Sequence, residues 1–355
     1  MIALGAILLI IVTALVTLLS RAYYPKPVQQ ETVIKRNESP LLSQHQEIKV
    51  LSYNVQFMAG KGYVFWFDLP NANGPDTSPS SVSVQKTCHE VARVIIEEQP
   101  DFVLLQEIDD GAKRTRCQDQ LQLLLTLLPP SYSHHASAFY WKSGFVPHPR
   151  VWGAAGMKLS TLSKHPISSA KRHQLALTPS NIISKHLGIK RAVLETRIPF
   201  AEGGELALLN THLEAFSKQS DTLQRQVNQL DSILSNYCSQ NIPWIIGGDF
   251  NLLPPNQYKT LPAQQRIHYR EKTELTCLTN KYPCIPSLAD LNNPTQWYSY
   301  FPNDPAVNRP DRTLDYLFYS PLLICNSAQV RQADTLDISD HFPIIASFNF
   351  NAYTP

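Results

Sequence analysis

Residues of the types that bind metals and move protons recur where apolar segments of the chain end. The stretch at 244–254, WIIGGDFNLLP, delivers Asp249 and Asn251 two positions apart. If the extended backbone continues through them, both side chains point to the same side. A carboxylate and an amide placed in this way can orient a water molecule and hold a phosphate or a metal. A buried strand followed by an Asx turn explains this stretch by itself equally well.

Similar polar residues follow or begin the other predicted strands. They are Asn54, Glu107, Asn210, His212, Asp315, Asp340 and His341. Strand ends that meet at one edge of a sheet are a usual place for an active site. The oxygen ligands in this set suit Mg²⁺, Mn²⁺ or Ca²⁺ better than zinc. Histidines beside them can exchange protons near neutral pH, and the combination favours hydrolysis at phosphorus by an activated water.

Alternating strands and helices must position these residues. Apolar runs predict strands that end at Asn54, Glu107, His212 and Asp249, and three-four spacing predicts helices over 84–99, 117–128 and 220–239. Further strands are predicted between 132 and 200, whereas 254–311 is largely loop. The strand–helix–strand order before Asp249 places His212 and Asp249 at comparable ends of neighbouring strands.

The N-terminal residues 1–20 contain no charged side chain. As a helix they would span about 30 Å, the thickness of a bilayer core. A cleaved signal peptide is the alternative, but no Lys or Arg precedes the apolar run, so we expect an uncleaved transmembrane anchor. The expected location is therefore a membrane, with a single N-terminal span, and its side stays open. Residues 21–47 are predicted to be a linker and 48–355 the catalytic domain.

Composition limits the alternatives. The 355 residues include 31 basic and 29 acidic side chains, so no net basic field argues for nucleic acid. With 43% hydrophobic residues, the chain can bury a sizeable core. The six cysteines contain no C-x-x-C pair, which argues against a zinc cluster and leaves open whether they are thiols or disulfides.

Six short motifs, taken in order, carry a family resemblance. They are LSYN at 51–54, LQE at 105–107, NTH at 210–212, GDFN at 248–251, LDY at 314–316 and SDH at 339–341. Over about residues 48–350 they resemble the endonuclease/exonuclease/phosphatase superfamily, which has the deoxyribonuclease I-like fold and includes neutral sphingomyelinases. Gln56 is a departure, because repair nucleases often have an acidic residue at this position.

The resemblance implies a fold and a metal site. The fold is a four-layer α/β/β/α sandwich of two mainly antiparallel sheets, an α/β (α+β) architecture. Glu107 resembles the principal Mg²⁺ ligand of the family, with Asn54 beside it and Asp340 nearby. Asp249 would orient or deprotonate the attacking water.

The resemblance also implies roles at the phosphate. His341 would contact the scissile phosphate or act as a base, oriented by Asp315. Asn210, His212 and Asn251 would bind the substrate, and His212 could instead protonate the leaving group. Which histidine is the acid and which the base stays open.

We therefore expect a membrane-anchored, Mg²⁺-dependent phosphoric ester hydrolase, either a phosphodiesterase or a phosphatase. A phospholipid or sphingolipid head group is the favoured substrate, because the anchor places the site beside lipid and aromatic residues at 63–67 and 297–301 could engage such a surface. The alternatives are a metal-dependent nuclease acting on DNA or RNA and a non-catalytic membrane scaffold. No core position is missing, which disfavours the scaffold. No protein partner can be inferred.

Overall fold

The computed structural model describes residues 22–69, 71–179, 181–215 and 219–351, together with Gly5, Ala6, Leu9, Thr13 and Leu19. The strands are β1 (Val28–Glu31), β2 (Val33–Lys35), β3 (Ile48–Asn54), β4 (Phe102–Asp109), β5 (His134–Val146), β6 (Gly153–Ser163), β7 (Ser169–Gln174), β8 (Ala192–Pro199), β9 (Glu205–His212), β10 (Trp244–Asp249), β11 (Cys284–Ile285), β12 (Asp315–Tyr319), β13 (Leu323–Val330) and β14 (Ile344–Phe350). The α-helices are α1 (Ser81–Glu98), α2 (Gln120–Leu127), α3 (Ile182–Leu187), α4 (Thr222–Ser239), α5 (Ala263–Arg266) and α6 (Thr276–Thr279).

The described strands form two seven-stranded sheets. The first has the order β13-β14-β3-β4-β6-β5-β2, and the second has the order β1-β7-β8-β9-β10-β12-β11. Most neighbours are antiparallel, but β3 pairs with β4 and β9 pairs with β10 in parallel. Helix α1 connects the first parallel pair and α4 connects the second, as a parallel connection requires. The carboxyl ends of these four strands, where the predicted site residues lie, consequently come together.

Apolar side chains fill the space between the sheets and the space under the helices. Leu104 from the first sheet packs with Leu208 and Ile245 from the second in one buried cluster. Helices α1 and α2 cover the outer face of the first sheet, and α4 covers the outer face of the second. The layers are therefore helix, sheet, sheet and helix, which confirms the predicted sandwich.

The segment predicted to be a linker contains two edge strands. Strand β1 pairs with β7 of the second sheet, and β2 pairs with β5 of the first. Residues 28–35 therefore extend both sheets, and Leu42 is fully buried behind them. The polar composition that suggested a linker also suits edge strands, which face solvent on one side. The structured part of the chain thus includes residues well before the predicted start at residue 48.

The membrane anchor predicted for residues 1–20 lies largely outside the described residues. Within the part of the chain that the structure describes, no helix is both long enough and apolar enough to cross a bilayer. A span requires about 20 successive apolar residues in one helix, and the described residues among the first twenty are five separated positions. The prediction of a single-pass membrane location is wrong on this finding.

Aromatic residues that could have engaged a lipid surface are partly used in packing. Phe65 is 1% exposed and packs edge-to-face against Phe57, with ring centroids 4.9 Å apart. Trp297 is also buried.

All six cysteines lie in the described part of the chain, and none of them forms a disulfide.

Candidate active site

Asp249 lies at the end of β10 and contacts several of the predicted site residues. Its Oδ2 atom lies 3.2 Å from Nε2 of His212 and 3.5 Å from Nε2 of His341. The same oxygen accepts a hydrogen bond of 3.1 Å from Nδ2 of Asn54. Its Oδ1 accepts the backbone N–H of Asn251 at 2.9 Å. Burial raises the pKa of Asp249 to about 7, even though the charge on His341 opposes this rise.

The two glycines before Asp249 let β10 approach its neighbours closely. A Cβ atom on Gly248, which has a φ of +151°, would lie 1.9 Å from the backbone oxygen of Thr211 in β9. A Cβ atom on Gly247 would lie 2.6 Å from a methyl group of Leu317 in β12. Larger residues would push the strands apart, so glycine at these positions allows Asp249 to reach the carboxyl ends of both sheets.

His341 is held on one side of Asp249 by a second carboxylate. Its Nδ1 atom lies 2.7 Å from Oδ2 of Asp315, the first residue of β12. Ser299 Oγ donates to the same oxygen at 2.7 Å. Burial by itself would lower the pKa of His341, but the charges of Asp315 and Asp249 outweigh it and raise that pKa to about 10. The ring therefore carries a proton at neutral pH.

His212 lies on the other side of Asp249, at the end of β9. Its Nδ1 atom is 3.4 Å from the hydroxyl of Tyr140, and the nearest second carboxylate oxygen, Oε1 of Glu107, is 3.9 Å away. Burial lowers the pKa of His212 well below its ordinary value, and the positive charges of Arg191 and His341 lower it further. This imidazole is therefore neutral near pH 7.

Carboxylates gather beside these histidines. Potential ligand atoms of Glu107, His212 and Asp249 lie within 4.8 Å of one another. Burial raises the pKa of Glu107, and the charge of Asp340 adds to the rise. Burial and the charge of Asp340 also raise the pKa of Asp68 to about 7. Buried acids that raise one another's pKa create a negative potential that suits a hard divalent cation.

Asn54 supports this carboxylate group through its amide nitrogen. Nδ2 donates to Oε1 of Glu107 at 3.1 Å and also to Asp249. Its Oδ1 accepts the backbone N–H of Gln56 at 3.0 Å. In this arrangement Asn54 orients two carboxylates. Its role as a metal ligand stays a prediction, because Oδ1 keeps a second lone pair.

Asn210 makes its hydrogen bonds within the chain. Its Oδ1 accepts a hydrogen bond of 2.8 Å from Gln106. Its Nδ2 donates to the backbone oxygens of Leu105 and Ser160, each at 3.0 Å. The residue is fully buried and connects β9 to the facing sheet. These contacts connect the two sheets and use both N–H groups of the amide. The substrate-binding role of Asn210 stays a prediction, for which a second lone pair on Oδ1 is left.

The site opens into a cleft with a volume of about 960 Å³. Glu107, His212, Asp249, Asp340 and His341 lie along it, and so does Asn251. The cleft is large enough for a small organic molecule, since such pockets usually have a volume of about 300–1,000 Å³.

A model of the Endonuclease/Exonuclease/phosphatase family matches residues 51–341. The chain belongs to this family. The match includes all of the predicted site residues, from Asn54 to His341. Endonuclease/exonuclease/phosphatase proteins are hydrolases that act on phosphoester bonds, and the family generally uses a divalent metal.

Solved structures of the endonuclease/exonuclease/phosphatase family share the fold. A protein of this family from Beutenbergia cavernae has a TM-score of 0.57 at 18% identity, over 86% of this chain and 72% of its own. The human Nocturnin catalytic domain with bound sulfate has a TM-score of 0.55 at 19% identity, over 90% and 97%. A Bacteroides thetaiotaomicron mannosyl-6-phosphatase has a TM-score of 0.53 at 15% identity, over 85% and 100%. Identities this low support the fold alone.

Relatives by sequence include a UPF0294 protein of Vibrio campbellii, which is 23% identical over 213 residues. A UPF0294 protein of Vibrio parahaemolyticus is 22% identical over 211 residues. The aligned region covers 60% and 59% of this chain, respectively, and 61% of each relative. The chain therefore spans about three fifths of the length of these relatives.

Some residues at the site were not found by reasoning from the sequence. Tyr140 and Arg191 lie in a region read only as successive strands, and Ser299 lies in a stretch read as loop. None of them belongs to a short motif with a spacing of its own. A polar residue at the start of β8, such as Arg191, is a weak signal, and Ser299 carries none without its contact to Asp315.

Proposed function

We propose that the protein is a divalent-metal-dependent hydrolase of phosphoric esters in which Asp249 orients and deprotonates the attacking water. The observation that supports this proposal is the arrangement of one buried carboxylate between a charged and a neutral histidine, next to Glu107. A general base is most useful when its pKa lies near the working pH. Asp249, with a pKa raised to about 7, meets this condition.

His341 supplies positive charge at the phosphate. Its Nδ1–H is donated to Asp315, so Nε2–H remains to donate to a phosphoryl oxygen or to the leaving oxygen. A charged donor fixed in a water-poor site stabilises the negative charge that develops in the transition state. We therefore assign to His341 the roles of electrostatic stabiliser and acid, and not that of base.

His212 acts as a neutral hydrogen-bonding group. With the Tyr140 hydroxyl donating to Nδ1, the other nitrogen, Nε2, carries the proton and donates to Asp249. This hydrogen bond fixes the carboxylate, and the ring edge can also contact the substrate. Asn251, which lines the cleft and donates its backbone N–H to Asp249, would hold a phosphate oxygen.

A divalent cation fits the carboxylates at the edge of the cleft. Glu107 and Asp340 would hold it, with Asn54 orienting Glu107. Carboxylate oxygens of this kind favour Mg²⁺, with Mn²⁺ and Ca²⁺ as alternatives. When bound, the cation would neutralise charge on the phosphoryl oxygens.

A small phosphate ester is the substrate class that we propose. The reacting side chains are buried at the base of a cleft of about 960 Å³, which suits a compact ligand better than a duplex. The net charge of +2 gives little general attraction for nucleic acid. The lipid head group favoured from the sequence depended on the membrane anchor and on exposed aromatics, and of these aromatics Phe65 and Trp297 are buried.

Hydrolysis assays after metal removal test the proposal. The purified chain is stripped with EDTA and assayed on p-nitrophenyl phosphate, bis(p-nitrophenyl) phosphate, single-stranded DNA, RNA and sphingomyelin vesicles, with and without Mg²⁺, Mn²⁺ or Ca²⁺. We expect metal-dependent turnover of at least one soluble ester and its loss in Asp249→Ala. The exposed Asp221, which forms an ion pair with Arg225 at the start of α4, provides the control Asp221→Ala. Turnover of nucleic acid or sphingomyelin alone would contradict the substrate class, and activity without metal would contradict the mechanism.

A further inference from the structure

The arginines that line the cleft differ in how they are neutralised. Arg114 donates to both oxygens of Asp109, at 2.8 and 2.9 Å. Arg312 donates to both oxygens of Asp311, at 2.7 and 2.9 Å. These bidentate pairs satisfy the guanidinium groups within the chain, so neither arginine needs a ligand.

Arg191 lines the same cleft but lacks such a pair. The residue is 5% exposed, and within the described residues neither Nε nor Nη1 has a hydrogen-bond partner. Arg191 forms an ion pair with Glu214, but the 3.7 Å from Nε to Oε1 is beyond hydrogen-bonding distance. Glu214 is itself held by other groups, because Thr178 Oγ1 donates to its Oε2 at 3.2 Å.

The position of Arg191 places it one side chain away from the reacting groups. Its guanidinium carbon lies 5.2 Å from the centre of the Tyr140 ring, and the Tyr140 hydroxyl is 3.4 Å from Nδ1 of His212. Apolar or backbone-rich segments around Leu177, Leu187 and Gly188 also line this part of the cleft. Low polarity strengthens the attraction between a fixed positive charge and an anion.

A buried guanidinium with unused donors is unfavourable unless a counter-charge completes it. Arg191 lines the cleft, so a ligand bound there can approach the guanidinium. We propose that Arg191 binds a second anionic group, a phosphate or a carboxylate, carried by the substrate beside the ester that is hydrolysed. Arg191 is thus a specificity-determining residue for phosphate esters with two anionic groups. The inference rests on the proposed function.

A matched series of esters tests the inference. The substrates are p-nitrophenyl phosphodiesters of alcohols that end in a methyl, a carboxylate or a phosphonate group, each prepared with several linker lengths. We expect kcat/KM to be about ten- to one-hundred-fold higher for the best anionic ester than for its methyl analogue, as charge-assisted hydrogen bonds predict. The carboxylate and phosphonate arms distinguish the two kinds of anion.

Variants connect this preference to Arg191. In Arg191→Met the ratio of kcat/KM between anionic and methyl esters should fall to about one, and Arg191→Lys should keep part of it because the charge remains. Arg150→Met is the control, because Arg150 also lines the cleft and its nearest bond is a long contact of 3.4 Å to the Gly74 oxygen. The control should keep the ratio. Because the ratio compares two substrates of one variant, a general loss of activity or fold does not mimic the expected result.

The outcomes separate the inference from the proposed function. If the methyl and anionic esters are hydrolysed at equal rates by the wild-type protein, the inference fails and the proposed function stands. If no ester is hydrolysed with any metal, the proposed function fails. Calorimetric binding of propane-1,3-bisphosphonate and of propylphosphonate then decides the inference. Tighter binding of the bisphosphonate that Arg191→Met abolishes supports it, and equal affinities overturn it.

Discussion

Two histidines flank one carboxylate in this protein, and their surroundings are opposite. On one side, His341 has a second carboxylate, Asp315, at 2.7 Å, and its pKa is raised to about 10. On the other side, His212 has a phenol, Tyr140, at 3.4 Å, and its pKa is lowered well below the ordinary value. Burial acts on both rings in the same direction. The charges of Asp315 and Asp249 therefore keep the proton on His341, whereas burial and the charges of Arg191 and His341 keep His212 neutral.

The difference assigns roles that a symmetric pair could not have. A histidine that stays charged can stabilise a phosphoryl oxygen, and one that stays neutral can fix Asp249 without competing for its proton. The surroundings of the charged histidine, His341, are also held by more hydrogen bonds than those of His212. Ser299 Oγ donates to Asp315 and accepts the backbone N–H of Leu314 at 3.0 Å, so the carboxylate is held before any ligand binds.

Removing the shared carboxylate should have the largest effect. Asp249→Asn keeps the shape of the side chain but eliminates the base and the negative charge between the two rings. We expect kcat to fall about 10⁴-fold, at the upper end for a general base. Steady-state kinetics measure this, with the exposed Asp221→Asn as the control. A decrease of less than about tenfold would mean that Asp249 does not activate the water.

Removing the charge of the carboxylate behind His341 should cause the next largest loss of kcat. Asp315→Asn removes the charge that holds the proton on His341, and kcat should fall about 10³-fold, somewhat less than for a similar change in a serine protease triad. The pKa of His341 should also fall, which a histidine NMR titration measures. Ser299→Ala, which keeps the charge of Asp315 but removes the hydroxyl that donates to it, should cause a smaller loss. An unchanged His341 pKa in Asp315→Asn would refute the explanation given for the charged side.

Replacing the neutral histidine, His212, should cause a smaller loss of kcat. His212→Gln retains a group that can donate to Asp249, and we expect kcat to fall about 10²-fold, the lower end for a residue of this kind. The matched comparison is His341→Gln, which removes a charge and should cost more. Equal losses in the two variants would show that the difference in protonation has no catalytic meaning.

The pH dependence of the wild-type reaction follows from the same pair. Asp249 must be ionised, so kcat/KM should rise with pH up to about 7. His341 must be protonated, so kcat/KM should decline again near pH 10. Each limb should change by about tenfold per pH unit. A cation bound at Glu107 favours the ionised form of Asp249 and should move the acidic limb below pH 7. Measuring the pH profile of kcat/KM with Mn²⁺ or Ca²⁺ in place of Mg²⁺ checks that shift.

Much of this site could be predicted from the sequence, because strands with apolar cores are visible in it. The ends of β3, β9 and β10 indicated Asn54, His212 and Asp249, and the family resemblance indicated the sandwich. The edge strands β1 and β2 were missed because they are short and polar, and their pairing with distant strands has no local signal. The predicted anchor rested on hydropathy alone.

The chemical difference between the histidines could not be predicted in the same way. His212 and His341 look alike in the sequence, since each ends a short polar motif. Their partners, Tyr140 and Asp315, lie 72 and 26 residues away along the chain. The roles of Asn210 and Arg191 depend similarly on contacts across the fold. Residue type and spacing therefore indicated where the site lies, and tertiary contacts determine what each side chain does there.

The smallest effect is expected from Tyr140→Phe, which changes the surroundings of His212 without removing either histidine. Losing the hydroxyl removes a donor to Nδ1 of His212, and that donor favours the neutral ring. The pKa of His212 should rise, although burial keeps it below the ordinary value. Activity should fall only a few-fold near neutral pH, as expected for one neutral hydrogen bond. It should fall further at acidic pH, where His212 gains a proton at Nδ1 and its positive charge makes Asp249 a weaker base. A parallel decrease at every pH would show instead that Tyr140 serves only to pack the ring.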